Sequence, residues 1–364
     1  MKIGFASNDW SRSVANIHGH PVMGGSGHVR IGQYLKYLRK QGVDAECGIL
    51  AQNSMTGTFG VHCWNGVDHF DCDVIVMQRY MHMQALTDLI RAKSSGQIIL
   101  QDIDDWYWGL SPLNAAYDAS LPSKNPAENT DWYRDIIKAS DGVIASTDFL
   151  YEKMKMWNEN TLVHKNHVEA NKYSPREHRN DTEKLVVGWM GSTSHRSGDL
   201  EILRPYSQEI SEYATWHHTG HMVSPHIPTF SSAVGINGTE VSLSQFLPPE
   251  QLHLGFTFDA GIVPLTDIPF NHAKSYIKGI EYACGGVPFV ASAVPEYIEL
   301  SEKYGIGIIA ESPKDYVKLL KRFVDPEYRQ EVADNNFKKV QRFDTRHGAK
   351  LLFSTIKKLK KGAR

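Results

Sequence analysis

The chain has 364 residues, 41% hydrophobic and 22% charged, a composition that builds cores and excludes a disordered chain; the length fits two domains of about 150 to 180 residues. Its 39 lysines and arginines nearly balance 41 aspartates and glutamates, for a formal charge of −2, which excludes the broad basic footprint of a protein that grips nucleic acid through phosphates. No apolar run approaches the roughly 18 residues that cross a bilayer, and the opening MKIGFASNDW reads as a strand rather than a leader, so a cytoplasmic protein is expected.

Short apolar, β-branched runs near 2–6, 44–50, 73–77, 97–101, 142–146 and 162–166 alternate with stretches of helical spacing. That alternation predicts a parallel sheet covered by helices. After the first strand, Gly24, Gly25, Ser26 and Gly27 make a flexible loop, and Ile31, Tyr34, Leu35 and Leu38 then keep the helical rule until Gly42 ends it. The loop does not follow the strand with G-x-G-x-x-G spacing, so a dinucleotide site is disfavoured.

Asp102, Asp104 and Asp105, in LQDIDDWYW, follow the strand at 97–101. Carboxylates there can orient acceptor hydroxyls, take a proton as general base or hold Mg²⁺; the plainer reading is a turn with helix-capping aspartates. Trp106, Tyr107 and Trp108 offer stacking faces for a sugar or base, or are simply core. The polar stretch 173–183, YSPREHRNDTE, reads as the linker between domains.

A second series of strands is predicted near 185–190, 215–219, 260–264, 288–292 and 307–310. Gly191, Ser192, Thr193 and Ser194 follow the first of these, a small hydroxyl-rich loop whose N–H groups can approach phosphate. His217, His218 and His221 in WHHTGH lack an i, i+4 pair on a helix, so they read as hydrogen-bonded or exposed rather than metal-binding. Cys47, Cys63, Cys72 and Cys284 have no C-x-x-C spacing and read as buried free thiols. From 345 to 359 Leu351, Leu352, Ile356 and Leu359 form one helical stripe, which packs on the first domain or on its own. Lys357, Lys358, Lys360, Lys361 and Arg364 then crowd the tail; they form a solvated helix end or weakly attach the chain to an anionic surface.

The most informative stretch is 259–292, DAGIVPLTDIPFNHAKSYIKGIEYACGGVPFVAS. It predicts a strand, a polar loop, a helix over 272–284 and a Gly-Gly-Val-Pro turn into the next strand. On such a helix Lys274, Lys278 and Glu281 fall within about 60° of one another. Ammonium groups and a helix N-terminus suit a diphosphate, and a carboxylate accepts from ribose hydroxyls. The alternative is an exposed face with an ordinary Lys–Glu pair.

These residues resemble a known family. PFNHAKSYIKGIEYACGGVPFVAS is similar to the donor-binding segment of group-1 (GT4-like) retaining glycosyltransferases of the GT-B architecture, and GWMGSTSH resembles the opening strand and loop of their second domain. The resemblance implies an α/β fold of two Rossmann-like domains facing across a central cleft: an acceptor-side domain over 1–175, a donor domain over 184–344, and a C-terminal helix and tail over 345–364. It implies that Glu281 contacts the donor ribose, that Lys274, Ser275 and nearby backbone contact the diphosphate, and that the 24–27 loop lines the cleft. The family's first glutamate of a pair falls on Ala273, and the customary cations of the opening loop are approximated only by His195 and Arg196.

The expected function is glycosyl transfer from a nucleotide-diphosphate sugar to a hydroxyl of a saccharide, lipid, protein or modified DNA base. Lys274, Lys278 and the 191–194 loop would stabilise the departing diphosphate without a divalent metal, with retention of configuration. An inverting enzyme would look to Asp102, Asp104 or Asp105 for its base. The alternatives are a nucleotide-sugar epimerase and a non-catalytic nucleotide- or carbohydrate-binding protein.

Overall fold

The computed structural model describes residues 1–7, 25–63, 69–114, 116–178, 184–193, 198–220, 228–242 and 258–363. The chain forms two compact units. One contains Met1–Trp108, Tyr117–His167 and Thr345–Arg364; the other contains Gly109–Ala116 and Val168–Asp344.

In the first unit the elements are β1 (Lys2–Ser7), α1 (Gln33–Lys40), β2 (Asp44–Gln52), β3 (Phe59–His62), β4 (Phe70–Asp71), β5 (Val74–Gln78), α2 (Met83–Ser94), β6 (Ile98–Ile103), α3 (Thr130–Ala139), β7 (Gly142–Ala145), α4 (Asp148–Lys155) and β8 (Thr161–Val163). The sheet order is β4-β3-β2-β1-β5-β6-β7-β8. Six strands are parallel, as expected; β3 and β4 add an antiparallel margin that the sequence pattern did not announce. A parallel sheet must be covered on both faces, and all five residues of β5 are buried. Ile3, Phe5, Val76, Leu100 and Ile144 face α1, while Ile75, Met77 and Ile99 meet Ala85 and Leu89 of α2 and Ile136 of α3.

The second unit runs β9 (Leu185–Met190), β10 (Ala214–Gly220), β11 (Thr239–Ser242), β12 (Ala260–Val263), α5 (Pro269–His272), α6 (Ile277–Cys284), β13 (Phe289–Ser292), α7 (Pro295–Glu302), β14 (Ile308–Ala310), α8 (Asp315–Arg322) and α9 (Pro326–Val340). Its sheet is wholly parallel in the order β11-β10-β9-β12-β13-β14. The strand order reverses direction between β9 and β12, the kind of point at which open α/β sheets bind ligands, beyond the carboxyl ends of the strands.

The last helix, α10 (Thr345–Gly362), joins the first unit's core through Ala349, Leu352, Ile356 and Leu359, which pack with Tyr34, Leu38 and Ile144. Leu351 is not part of that stripe: it is 44% exposed, and Ala349 takes the inward place because Gly348 and Ala349 allow the helix close in. A Cβ on Gly348 would stand 2.5 Å from the His167 ring.

The boundary between units falls at 167/168 rather than in the polar stretch 173–183. Residues 173–178 are fastened to the second unit. Tyr173 is core, Arg176 N–H donates to Gly285 O at 3.0 Å and its guanidinium to Asp259 at 3.0 Å, and a His178 ring nitrogen bonds Gly286 O at 2.9 Å. Over 173–178 the polar side chains of Arg176 and His178 have buried partners; residues 179–183 of the polar stretch lie outside the described residues. All four cysteines are buried free thiols.

Candidate functional site

The described part of the site lies in the second unit, at the carboxyl end of β9. Trp189, 2% exposed, stacks on His218 of β10 at 5.1 Å, and His218 hydrogen-bonds Gly191 O at 2.9 Å. Gly191 N–H donates to Thr219 O at 3.0 Å, and Met190 N–H donates to the buried Tyr282 hydroxyl at 2.9 Å. The chain is thereby fixed on both sides where it leaves the strand.

Glycine is required at 191. Its φ is 154°, and a Cβ there would lie 2.9 Å from the Trp189 ring and 3.1 Å from Lys278 Nζ, so the small residue admits a close approach of backbone, indole and ammonium. Ser192 is half-buried and Thr193 buried. Ser194, His195 and Arg196, like Gly24 and His221, lie outside the described residues.

The predicted helix over 272–284 is two pieces. The first, α5, ends at His272, a turn closes with Lys274 N–H on Asn271 O at 3.1 Å, and α6 begins at Ile277. The pieces have different anchors. Asn271, 1% exposed, donates to Asp199 Oδ1 at 2.7 Å, and the same oxygen accepts from Thr266 N at 2.9 Å and Thr266 Oγ1 at 2.7 Å. α6 is instead seated by Tyr276, Ile280 and Tyr282 in the core. Lys274 and Ser275 therefore stand in the turn ahead of α6 rather than on one helical face with Lys278 and Glu281. Lys274 Nζ rests 4.2 Å from the centre of the Phe270 ring. Ala273 is fully buried, with no carboxylate to offer.

Lys278 and Glu281, three apart on α6, keep the predicted shared face. The Lys278 ammonium donates to Met190 O and lies 5.4 Å from the Trp189 ring centre. Glu281 is half-buried, and burial pushes its carboxyl up to about 7, against the opposing pull of Lys278. The N-cap residue of α6, Tyr276, makes no side-chain cap bond.

In the first unit Asp102 is committed elsewhere. It is 2% exposed, and both its oxygens accept from Arg30, at 2.9 Å from Nε and 2.8 Å from Nη2. Arg30 Nη1 also donates to His164 O at 2.7 Å and Asn166 Oδ1 at 2.6 Å. A carboxylate held bidentately by a buried guanidinium is a structural partner, not a free base. Burial, with Arg30 alongside, keeps His164 neutral, well below the usual range.

Asp104 and Asp105 remain half-buried beyond the end of β6. Burial, and then the nearby Asp104 charge, push the Tyr133 phenol well above its ordinary range. Arg79, at the end of β5, holds a left-handed φ of 59° with its guanidinium 6.0 Å from the Tyr107 ring. Trp106 stacks on Trp157 at 5.7 Å and Trp108 on Tyr133 at 5.7 Å, so these indole faces already have aromatic partners. Gly25, Ser26 and Gly27 form a helical turn instead of the expected loop. It continues through a wider π-helical turn over His28–Gly32 into α1, which is the turn that delivers Arg30 to Asp102.

No protein-family model and no curated protein sequence matches the chain. Solved structures do. Sucrose-phosphate synthase from Thermosynechococcus elongatus is 12% identical with a TM-score of 0.63, covering 100% of both chains. HepE from Anabaena, in complex with UDP and glucose, is 13% identical with a TM-score of 0.65 over 98% of this chain and 99% of its own. Trehalose-6-phosphate synthase OtsA is 10% identical with a TM-score of 0.60 over 98% and 99%. These are GT-B glycosyltransferases, and the fold of this chain is GT-B, built of two Rossmann-like units.

Proposed function

We propose that the chain is a glycosyltransferase that binds a nucleotide-diphosphate sugar on its second unit and transfers the sugar to an acceptor hydroxyl. The carrying observation is the junction of β9 and α6: Lys278 donates to the Met190 carbonyl beside Gly191, with Glu281 one turn further along. A held ammonium, a glycine that leaves room for an oxyanion, and a half-buried carboxylate sit together at the point where the strand order reverses. Cation and backbone N–H groups suit a diphosphate, and Glu281 suits a pair of ribose hydroxyls. The fold neighbours add support, since HepE was crystallised with UDP-glucose.

In this reading bond cleavage leaves negative charge on the β-phosphate oxygen. Lys278, Lys274 in the turn ahead of α6, and the N–H groups of Ser192, Thr193 and the start of α6 stabilise that charge in place of a divalent metal. Ser194, His195 and Arg196, next in the sequence, are assigned to the same donor site. Ser275 joins the backbone contacts at the helix start. With Ala273 in place of a glutamate, contacts to the transferred sugar come from other residues. The acceptor is assigned to the first unit, beyond the end of β6, where Asp104 and Asp105 stand; retention of configuration follows the group-1 resemblance.

The test is nucleotide release from a panel of UDP-, GDP- and ADP-sugars, with and without saccharide acceptors, in EDTA and in Mg²⁺. A product sugar linked to acceptor, formed equally in EDTA, is the expected result. Conversion of the donor to a different nucleotide sugar without acceptor would replace transfer by epimerisation.

A further inference from the structure

Helices α1 and α10 pack side by side on one face of the first unit. Their sequences, QYLKYLRK and TRHGAKLLFSTIKKLKKG, contain no carboxylate. Together they hold nine of the chain's 39 lysines and arginines and none of its 41 aspartates and glutamates, so these two helices carry +9 while the rest of the chain carries −11. A near-neutral total conceals a strongly divided charge.

The two helices run the same way. Near their starts Thr345 Oγ1 donates to Gln33 Oε1 at 2.7 Å; at the far end Leu359 O accepts from Asn160, beside the first residue of β8, and α1 leads into the first residue of β2. Lysines at a helix C-terminus complement the helix dipole, but this array extends well beyond the last turn. Lys36 lies in mid-α1 and Lys350 in the second turn of α10, and α10 alone is about 27 Å long. Lys40, Lys350, Lys357, Lys358, Lys360 and Lys361 are all exposed, and none is in an ion pair among the described residues. Arg39 pairs with Glu46 at 2.5 Å.

We propose that this face docks the protein on an anionic lipid surface. Seven of its nine cations are lysines, mobile point charges suited to the diffuse potential of a phospholipid leaflet, whereas nucleic-acid grips favour the planar arginine fork and exposed stacking rings. The aromatic rings here are buried, as Tyr37, or partly buried, as Phe353, and each has a lysine ammonium beside it. Lys36 Nζ lies 4.7 Å from the Tyr37 ring and Lys357 Nζ 4.8 Å from the Phe353 ring. The exposed apolar group is Leu351, 44% exposed and, at about 100° per residue, on the same side of α10 as Lys358, where it can enter the headgroup layer. The stripe of α10 that would insert more deeply is already used in the core, so attachment is mainly electrostatic and falls with salt.

The experiment is sedimentation of the full chain with vesicles of phosphatidylcholine alone and with about one third phosphatidylglycerol, from about 0.05 M to 0.5 M salt. It needs no donor or acceptor, so its outcome is separate from that of the proposed reaction. Binding to anionic vesicles only, weakened at least tenfold by salt and at least tenfold by Lys357→Glu/Lys358→Glu/Lys361→Glu in a chain of unchanged melting temperature, is expected. Leu351→Ser, at an exposed position that keeps the fold, should weaken binding further at high salt. Absence of binding to anionic vesicles at low salt, equal binding to neutral ones, or tighter binding of the same face to duplex DNA at equal phosphate concentration would overturn the assignment.

Discussion

The ammonium of Lys278 donates to the main-chain carbonyl of Met190, 88 residues away in sequence, at the last residue of β9. This bond holds a cation against the turn at Gly191 before any ligand arrives. Lys278→Ala should weaken nucleotide-diphosphate binding at least tenfold, about 1.4 kcal/mol, while leaving the fold intact. Isothermal titration of the folded variant with UDP, GDP and ADP measures it; unchanged affinity removes Lys278 from the site.

Lys274 stands in the turn ahead of α6, with its ammonium resting on Phe270. If it stabilises the leaving diphosphate, Lys274→Ala lowers kcat at least tenfold, about 1.4 kcal/mol in the barrier, with a smaller change in ground-state donor affinity. A parallel loss of kcat/KM alone, with kcat preserved, would assign it to binding.

Gly191→Val tests the close approach directly. The Cβ would fall 2.9 Å from Trp189 and 3.1 Å from Lys278 Nζ, so the loop must move and nucleotide affinity should drop at least tenfold, again about 1.4 kcal/mol. Retained affinity in a folded Gly191→Val chain would show that phosphate does not approach here.

Glu281 gives a pH signature. Its carboxyl is raised from 4.5 to about 7 by burial, so the folded chain holds a proton that the unfolded chain has released. The associated stabilisation is complete below about pH 4.5 and lost as pH rises through about 7. Glu281→Gln should remove that part of the slope, at most about 3 kcal/mol and less for its partial exposure, as read from the difference between wild-type and variant denaturation at pH 5 and pH 8. Donor affinity runs the other way, since ribose hydroxyls donate best to the ionised carboxylate, and it should rise across the same window in the wild type only.

Asp102 and its neighbours separate structure from chemistry. Arg30→Met strands a buried Asp102 carboxylate and should cost about 3 to 5 kcal/mol of stability, detectable in urea. Asp104→Asn and Asp105→Asn should instead leave the melting temperature within a few degrees; if either lowers turnover, acceptor activation lies there.

Much of this was legible because parallel strands buried on both faces advertise themselves: runs such as Val74–Gln78 and Leu185–Met190 are apolar and bounded by turns. The margin β3–β4 was not, because strands as short as Phe70–Asp71 carry no periodicity. The face shared by Lys278 and Glu281 followed from helical spacing, but the break before α6 did not, since no proline or glycine marks 273–276 and the cause is a tertiary tether from Asn271 to Asp199. Nothing in the sequence around Arg30 points to its partner Asp102, 72 residues away. His218 reads from the sequence as hydrogen-bonded or exposed; its hold on Gly191 O depends on the register of β10 with β9.

The most direct test of the donor site is the melting temperature of the full chain with UDP, GDP and ADP sugars, repeated in a Lys278→Ala/Glu281→Ala chain. The account predicts that one nucleotide class stabilises the wild type, by about 2.7 kcal/mol at a hundredfold excess over Kd, and that the double variant gains less than a tenth of that binding constant. Stabilisation of equal size in both chains would contradict it, as would a wild type indifferent to every nucleotide sugar.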